Sequence, residues 1–185
     1  MTKMKGLWSV GETLQRYKNA WIEVNEDQVV RPDGESEIFA TVTMRPGVSV
    51  LALDDKGMVY LTSEYRYAVE RDSVEVVSGG IEPDEQPLTA ARRELLEELG
   101  IEAAEWTELG TVDPFTSTIF SPATLYLARQ LKMGEPSPEC TEIISVIKVD
   151  FTEAVRMVMA SEITHGPSCV LILKTYLRLS RDLLK

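Results

Sequence analysis

The pattern of hydrophobic and polar positions predicts a series of strands interrupted by a few helices. Its clearest block runs from Val48 to Leu53 and is almost continuously apolar, which is typical of a strand buried on both faces. The polar segment Asp54–Gly57 then predicts a turn, so that Met58–Tyr65 forms a hairpin with this strand. A further short strand is predicted at Val74–Val77, and it leads directly into a glycine-containing loop.

Strands are also predicted on both sides of this hairpin. Toward the N-terminus, Trp21–Asn25 and Gln28–Gly34 read as two short strands with a turn at 32–34, and Glu37–Met44 is a third. Toward the C-terminus, three more strands are predicted at Thr107–Val112, Ala123–Leu131 and Ile143–Val149. Helical spacing of apolar residues predicts two final helices, around Thr152–Ser161 and Pro167–Leu184.

One segment, Gly79–Ile101, has a spacing that indicates chemistry as well as structure. It reads GGIEPDEQPLTAARRELLEELGI and predicts a loop followed by a helix. Glu94 and Glu98 are four residues apart, only roughly 40° around a helix axis, and Glu97 lies beside them. Like charges at this spacing destabilise an isolated helix by about 0.2–0.5 kcal/mol per pair. A hard divalent cation bound through oxygen would offset that repulsion.

The ends of this segment carry the residues that its bends require. Gly79-Gly80 allows a tight bend and exposes a carbonyl, Pro87 suits the first helical turn, and Gly100 suits a left-handed cap. The acidic face alone could be the solvated side of an amphipathic helix, with Leu95 and Leu99 toward the core. The complete spacing favours a site, because a chance match in such a chain is on the order of one in a million or rarer.

Length and charge narrow the classes of partner. A chain of 185 residues with a net charge of −11 argues against a nucleic-acid backbone or an anionic membrane as partner. The sequence predicts neither a signal peptide nor a membrane span, since it contains no run of about 18 apolar residues. An acidic protein that handles phosphates needs local positive charge or a metal, which the carboxylate cluster would recruit.

The cysteines and the histidine argue against several kinds of site. Cys140 and Cys169 lie far apart without a CxxC motif, and two lone cysteines fit reduced thiols in the cytoplasm, where we expect the protein. His165 is the only histidine, which argues against a histidine-based zinc site or a Ser-His-Asp triad. We expect His165 to be a loop residue.

The segment resembles the signature of the Nudix hydrolases at every fixed position. The matching residues are Gly79, Glu85, Arg93, Glu94, Leu95, Glu97, Glu98, Gly100 and Ile101. The resemblance implies a metal-dependent hydrolase that acts on a nucleoside diphosphate linked to another group. It also implies an α/β fold, an α/β/α sandwich in which a mixed sheet lies between helices.

The resemblance assigns metal-site roles to individual residues. Glu94 and Glu98 would be carboxylate ligands of Mg²⁺ or Mn²⁺, and Glu97 would be a third ligand or would orient metal-bound water. The main-chain carbonyl of Ser78 would complete the protein ligands. This chain has Val77-Ser78 where many relatives have alanine or Pro-Ala, a departure that matters little because the ligand is a carbonyl.

Two further positions of the signature complete its implied roles. Glu85 and Arg93 would pair to brace the loop against the helix. Arg93 and Glu97 are therefore candidate catalytic residues together with a general base.

Looser matches extend over nearly the whole chain and resemble the ADP-ribose pyrophosphatase-like branch. They lie at 19–21, 31–34, 45–48, 64–67 and 110–129. The resemblance implies an N-terminal β extension over residues 1–45, a Nudix domain over 46–185, and a homodimer whose subunits share their active sites through that extension.

The branch resemblance also implies substrate contacts. Aromatic side chains clamp the adenine in that branch, and the matching positions are Trp21 and Phe39. Arg66 would contact phosphate or ribose, and Arg45 is a second candidate. Trp21 is equally consistent with a core or interface anchor, because tryptophan is enriched at interfaces regardless of ligand.

The general base is expected in a loop after the signature helix. The segment 133–141, rich in proline, serine and acidic residues, reads as a linker or loop, and Glu139 and Glu142 lie in or beside it. Glu142 is favoured because it adjoins the strand predicted from Ile143. A solvated loop acid is the alternative reading.

The exact substrate stays open at the level of sequence. ADP-ribose is the leading substrate, but the proline-glycine context common in the branch is absent, since neither Pro114 nor Pro122 precedes a glycine. GDP-mannose, FAD and NADH are alternative diphosphates. A nucleotide-sugar sensor without turnover is a second class of function and an adaptor domain is a third, but neither gives a reason to preserve the complete carboxylate set.

Overall fold

The computed structural model describes residues 3–135 and 143–182, with Arg181 and Asp182 described by backbone only. The chain divides into two compact units. The first comprises Met1–Arg45 together with Asp113–Pro122, and the second comprises Pro46–Val112 together with Ala123–Lys185. The division after Arg45 coincides with the expected start of the Nudix domain, whereas the segment 113–122 groups with the N-terminal strands.

The described residues form twelve strands, three α-helices and one 3₁₀ turn at Tyr67–Val69. The strands are β1 (Lys3–Lys5), β2 (Trp8–Lys18), β3 (Ile22–Val30), β4 (Ser36–Met44), β5 (Gly47–Leu53), β6 (Met58–Arg66), β7 (Arg71–Glu75), β8 (Val77–Gly80), β9 (Ile101–Val112), β10 (Ile119–Phe120), β11 (Ala123–Met133) and β12 (Ser145–Asp150). The helices are α1 (Pro87–Leu99), α2 (Phe151–Met159) and α3 (Gly166–Asp182).

The second unit is built around a mixed seven-stranded sheet. Its main path is β12-β6-β5-β11-β9, with β7 paired to β6 and β8 paired to β5. Strands β5 and β11 run parallel, and the other pairs are antiparallel. One edge of β5 is shared, because its first half pairs with β8 and its end pairs with β6. This arrangement brings the loop before α1 to the centre of the sheet.

Helices cover both faces of this sheet. Alternate residues of β5 separate into two clusters, as the two-residue period of a strand requires. Leu51 and Leu53 pack with residues of α2 and α3, such as Leu171. Val50 and Ala52 pack with residues of α1, including the fully buried Leu95. The predicted α/β/α sandwich with a mixed sheet is thereby confirmed.

The first unit is a five-stranded sheet with the order β1-β2-β3-β4-β10. Its pairs are antiparallel except for β10, which lies parallel to β4. Asp27 in β3 is buried and accepts hydrogen bonds from Lys5 Nζ at 2.7 Å and Thr13 Oγ1 at 2.5 Å. These contacts tie the first two strands to the third.

Several predicted elements needed correction. β3 is one continuous strand, not two, because it pairs with β4 along its whole length from Ile22 to Val30. β1 and β2 were missed because their mostly exposed residues give little apolar alternation. The strand predicted at Val74–Val77 is two strands separated at Val76, whose N–H donates to Ser168 Oγ at 3.0 Å.

The other predicted elements are present with shifted ends. β9 begins at Ile101, six residues before the predicted start at Thr107. The glutamates and alanines of this first part have low strand propensity, so the pattern did not indicate a strand, but they pair with β11. The two C-terminal helices are confirmed at Phe151–Met159 and Gly166–Asp182. Within the described ranges, no helix is long and apolar enough to cross a membrane.

Candidate active site

Helix α1 starts and stops where its sequence indicates. Pro87 occupies the first turn, where its fixed φ is favourable and its missing N–H costs nothing. Gly100 ends the helix in the left-handed conformation, with φ 64°, and its N–H donates to the carbonyl of Leu96 at 2.8 Å. These limits fix which face of the helix meets β8.

Gly79 and Glu94 approach each other so closely that the Glu94 carboxylate, in this position, leaves no room for a β-carbon at residue 79. A β-carbon built on Gly79 would lie 2.0 Å from both the Cδ and the Oε1 of Glu94, far inside contact distance. At the neighbouring Gly80 a β-carbon would meet no atom within 4 Å. The carboxylate of Glu94 therefore lies directly against the backbone of β8, and only 14 % of the Glu94 side chain is exposed.

Arg93 organises the loop and the helix around it. Its Nε and Nη2 donate to the two oxygens of Glu85, each at 3.1 Å, and Nη2 also donates to the Gly80 carbonyl at 2.9 Å. Its Nη1 donates to Glu94 Oε1 at 2.7 Å and to Glu97 Oε2 at 3.1 Å. All five N–H donors of the guanidinium are used. The predicted Glu85–Arg93 pair is present.

Charge pairing explains the pKa values in this cluster. The Arg93 guanidinium lowers the pKa of Glu85, against the opposing effect of burial. Hydrogen bonding to Glu85, together with contacts to Glu94 and Glu97, raises the pKa of Arg93. Glu85 and Arg93 therefore form an ion pair, with both side chains charged at neutral pH.

The remaining predicted metal-site residues lie on the same two elements. Glu98 belongs to the buried stripe of α1, with Leu95 and Leu99, and is only 9 % exposed. Glu97 is more open, with 35 % of its side chain exposed. Ser78 lies in β8, where its hydroxyl contacts Ser49 Oγ at 2.9 Å, so its side chain has a partner other than a metal.

The oxygen donors fit a hard divalent cation. Within residues 3–135 and 143–182, no group of three or more His, Cys, Asp or Glu side chains is arranged so that it could hold a metal ion. A set of two carboxylates and one main-chain carbonyl needs no such triple group. Glu94 and Glu98 lie on α1 and Ser78 lies on β8, and carboxylate and carbonyl oxygens are the kind of ligand that suits Mg²⁺ or Mn²⁺.

Arg66 lies at the end of β6 in a network of acidic side chains. It donates Nε to Glu75 Oε1 at 3.1 Å and Nη2 to Glu75 Oε2 at 2.9 Å, and Nη1 lies 2.6 Å from Glu64 Oε2. Hydrogen bonding to Glu75 raises the pKa of Arg66 despite burial, and the charge of Glu98 contributes to the rise. Sequence reasoning missed Glu75, a charged residue between Val74 and Val76 in an apolar stretch.

The other predicted substrate residues belong to the first unit. Trp21 is 65 % exposed, and the Arg45 guanidinium lies 4.9 Å from the centroid of its ring. Phe39 in β4 packs edge-on against Trp8, with ring centroids 5.6 Å apart. Trp21 thus has an available aromatic face, whereas Phe39 is engaged in packing within its own sheet.

The predicted general base falls outside the described residues. Glu142 and the alternative Glu139 both belong to the segment 136–142, and Cys140 lies there too. Met133 ends β11 and Ser145 begins β12, so this segment connects two strands of the central sheet.

The family follows from comparison of the whole sequence. A model of the NUDIX domain matches residues 43–165, which is more than half of the chain. The chain belongs to the NUDIX domain family. Nudix hydrolases generally depend on a divalent metal, which agrees with the donor set on α1 and β8.

Relatives with known names cover nearly the whole Nudix chain. An ADP-ribose pyrophosphatase of Bacillus subtilis (strain 168) is 28% identical over 173 residues, 91% of this chain and 91% of its own length. A methanol dehydrogenase activator of Bacillus methanolicus is 26% identical over 177 residues, 93% of each chain. The similarity to these relatives therefore extends beyond the signature segment, over nearly the whole chain.

A solved structure confirms the Nudix fold. A crystal structure of an ADP compounds hydrolase superposes with a TM-score of 0.83 and covers 98% of both chains at 17% sequence identity. At this identity, the likeness is one of fold.

Proposed function

We propose that this Nudix hydrolase cleaves the diphosphate bond of ADP-ribose, giving AMP and ribose 5-phosphate. The observation that carries the proposal is the placement of the Glu94 carboxylate against Gly79, with Arg93 tying both to Glu85. This arrangement holds a signature carboxylate at a fixed position beside a strand backbone. A purely structural domain has no reason to keep that position free of a β-carbon.

The choice of ADP-ribose rests on the relatives. The ADP-ribose pyrophosphatase of Bacillus subtilis matches 91% of this chain, so the comparison includes the regions outside the signature. GDP-mannose, FAD and NADH have the same diphosphate bond and are the comparison substrates.

The proposed metal ligands are Glu94, Glu98 and the Ser78 carbonyl, with Glu97 orienting metal-bound water, and the proposed ion is Mg²⁺ or Mn²⁺. Such an ion neutralises phosphate oxygens and lowers the pKa of bound water. Arg93 keeps the carboxylates of Glu94 and Glu97 oriented through its Nη1 donors. We assign it this orienting role in catalysis.

The attacking water needs a carboxylate that takes its proton or orients it. We propose Glu142 for this role, with Glu139 as the alternative. Comparison of Glu142→Gln with Glu139→Gln at saturating Mg²⁺ tests the assignment, because loss of the base lowers kcat by about 100-fold or more. A larger loss in Glu139→Gln would reverse the assignment.

Substrate recognition is proposed for four residues. Trp21, 65 % exposed, would stack on the adenine, and Arg45, which lies over its ring, would add a cationic edge. Phe39 is a second aromatic candidate, although its ring packs against Trp8. Arg66 would contact the diphosphate or ribose with the N–H donors that Glu64 and Glu75 do not use.

We propose a homodimer formed through the N-terminal β extension, residues 1–45. Large apolar side chains are exposed on this unit, including Leu7 at 77 % and Ile38 at 56 %. Burial of such side chains against a second copy of the chain would be favourable, by roughly 25 cal/mol for each Å² of apolar surface removed from water. Sedimentation should give twice the mass of 20.7 kDa, and Ile38→Asp should shift the equilibrium toward the monomer. A monomeric parent protein would contradict this assembly.

The proposed location is the cytoplasm. Cys169 is a free thiol whose pKa is raised by burial, and reduced cysteines are usual in that compartment. Fractionation of the native source with an antibody against the chain tests this location.

A substrate panel tests the activity itself. ADP-ribose, GDP-mannose, FAD and NADH are incubated with the purified protein, with and without Mg²⁺, and the nucleotide products are quantified. Mg²⁺-dependent AMP release that is fastest from ADP-ribose supports the proposal. Faster release from another substrate would change the assigned specificity.

A binding function without turnover is the contrasting outcome. One relative is described as an activator of methanol dehydrogenase, so a regulatory role is a specific alternative. Tight binding of ADP-ribose with no product at any Mg²⁺ concentration would favour that role over hydrolysis.

A further inference from the structure

We propose that Glu75 is a positioning residue that fixes the orientation of the Arg66 guanidinium, and so sets the affinity for the substrate diphosphate. The inference rests on the proposed function. Glu75 does not touch substrate in this proposal, and it acts through Arg66 alone. Neither the signature nor the predicted site residues included Glu75.

The first support is the geometry of the pair. Both carboxylate oxygens of Glu75 accept from Arg66, at 3.1 Å from Nε and 2.9 Å from Nη2. Two parallel hydrogen bonds of this type fix the plane of the guanidinium, whereas a single contact would leave it free to rotate. Glu64 adds a contact at Nη1, at 2.6 Å, but from a side chain that is more exposed than Glu75.

The second support is how firmly Glu75 itself is held. Only 5 % of the residue is exposed, and His165 Nδ1 lies 3.5 Å from its Oε2. The same His165 Nδ1 is 2.8 Å from Ser168 Oγ, which accepts the Val76 N–H at 3.0 Å. His165 and Ser168, at the start of α3, thus contact the end of β7 and restrain the Glu75 carboxylate that binds Arg66. The predicted loop residue His165 is part of this support.

The third support is the position of Arg66 in the sheet. Arg66 ends β6, and both β6 and the signature strand β8 pair with β5, so one sheet carries Arg66 and Ser78. Glu75 and Glu64 use three of the five N–H donors of Arg66, and in this proposal the other two, one on each terminal nitrogen, donate to phosphate oxygens.

The test compares Glu75→Gln with the matched control Glu64→Gln. Glu75→Gln keeps the shape of the side chain but removes the charge and one acceptor. KM for ADP-ribose should rise about tenfold, with kcat changed by less than about threefold. The reason is that the contact between Arg66 and the diphosphate stabilises the bound substrate and the transition state equally. Glu64→Gln should change KM by less than about threefold, since it leaves both Glu75 contacts in place and the Glu64 side chain is 25 % exposed, against 6 % for Glu75.

A double variant separates positioning from general stabilisation. In an Arg66→Met background, adding Glu75→Gln should raise KM no further, because Glu75 acts only through Arg66. A KM for Glu75→Gln equal to that of the parent, or an equal additional rise in the Arg66→Met background, would overturn the inference. A fall in melting temperature without a change in KM would likewise show a purely structural role.

Binding measurements keep this inference distinct from the proposed hydrolysis. If the parent protein turns over no substrate, the proposed function fails, and calorimetric Kd values for ADP with Mg²⁺ replace KM. An about tenfold weaker Kd in Glu75→Gln would then support positioning without catalysis. Equal Kd values for the parent and Glu75→Gln, or no binding by the parent, would overturn it.

Discussion

The carboxylate of Glu94 occupies the space in which a β-carbon of residue 79 would lie. The separation would be 2.0 Å, so Gly79 and Glu94 are compatible only because residue 79 has no side chain. The strand β8 and the helix α1 are therefore in close contact at this point. That point is also where the metal ligands are proposed.

Gly79→Ala should displace the Glu94 carboxylate and lower kcat/KM by about 100-fold, the scale of loss that a misplacement of about 1 Å produces. Gly80→Ala is the matched control, because its β-carbon would meet no atom within 4 Å. Steady-state kinetics of both variants measure the difference. Equal activities would show that the close approach has no part in catalysis.

Glu98→Gln should lower turnover at least ~100-fold, because the buried carboxylate is a proposed ligand of the metal. Glu102→Gln is the control, since Glu102 pairs with Lys132 on the surface at 2.6 Å. Turnover of ADP-ribose is measured over a range of Mg²⁺ concentrations. Parent-level turnover by Glu98→Gln would exclude this residue as a ligand.

Arg93→Lys should lower the free energy of unfolding by about 1–3 kcal/mol. Lysine cannot reproduce the paired contacts to Glu85, and charged hydrogen bonds have this magnitude. The adjacent Arg92→Lys should cost less than about 1 kcal/mol, because Arg92 makes a single cation–π contact with Trp106 at 5.8 Å. Urea unfolding compares the two variants. A smaller loss in Arg93→Lys than in Arg92→Lys would contradict the bracing role.

The Glu85–Arg93 pair should give stability a distinct dependence on acid. Hydrogen bonding from Arg93 lowers the pKa of Glu85 below its ordinary value of 4.5, with burial opposing. The stabilisation is therefore complete above pH 4.5 and is lost as the pH falls through the lower folded-state pKa. Below pH 4.5 the parent should lose unfolding free energy more steeply than Glu85→Gln.

Urea unfolding between neutral and acid pH measures this slope. In an Arg93→Met background the cation is gone, and Glu85→Gln should change the slope much less, because only the hydrogen bond from the Glu82 N–H remains. A difference of undiminished size would show that Arg93 is not the main cause of the pKa shift.

Residue spacing along the chain was sufficient to predict helix α1 and the residues at which it begins and ends. Pro87 and Gly100 limit α1 through local backbone preferences, and the apolar run of β5 divides between two cores through the strand period. The Arg93–Glu85 pair was also predictable, because its members belong to one local loop and helix. Local signals of this kind need no knowledge of the rest of the fold.

Residues that depend on distant partners were less accessible to sequence reasoning. β2 has few buried positions, and it is a strand because its backbone pairs with that of β3. Val76 interrupts a strand because its N–H meets Ser168, 92 positions away. No local pattern encodes such a contact.

The sequence by itself determined the family, the central sheet with its signature helix, and the identity of the candidate carboxylates. Only the tertiary structure decided that Gly79 must lack a side chain beside Glu94, and that Glu75 holds Arg66 with support from α3. The physical reason is the distance along the chain over which each kind of interaction acts. Periodicity, caps and motif spacing act between neighbours along the chain, whereas close approach and shared hydrogen bonds arise only when distant segments pack together.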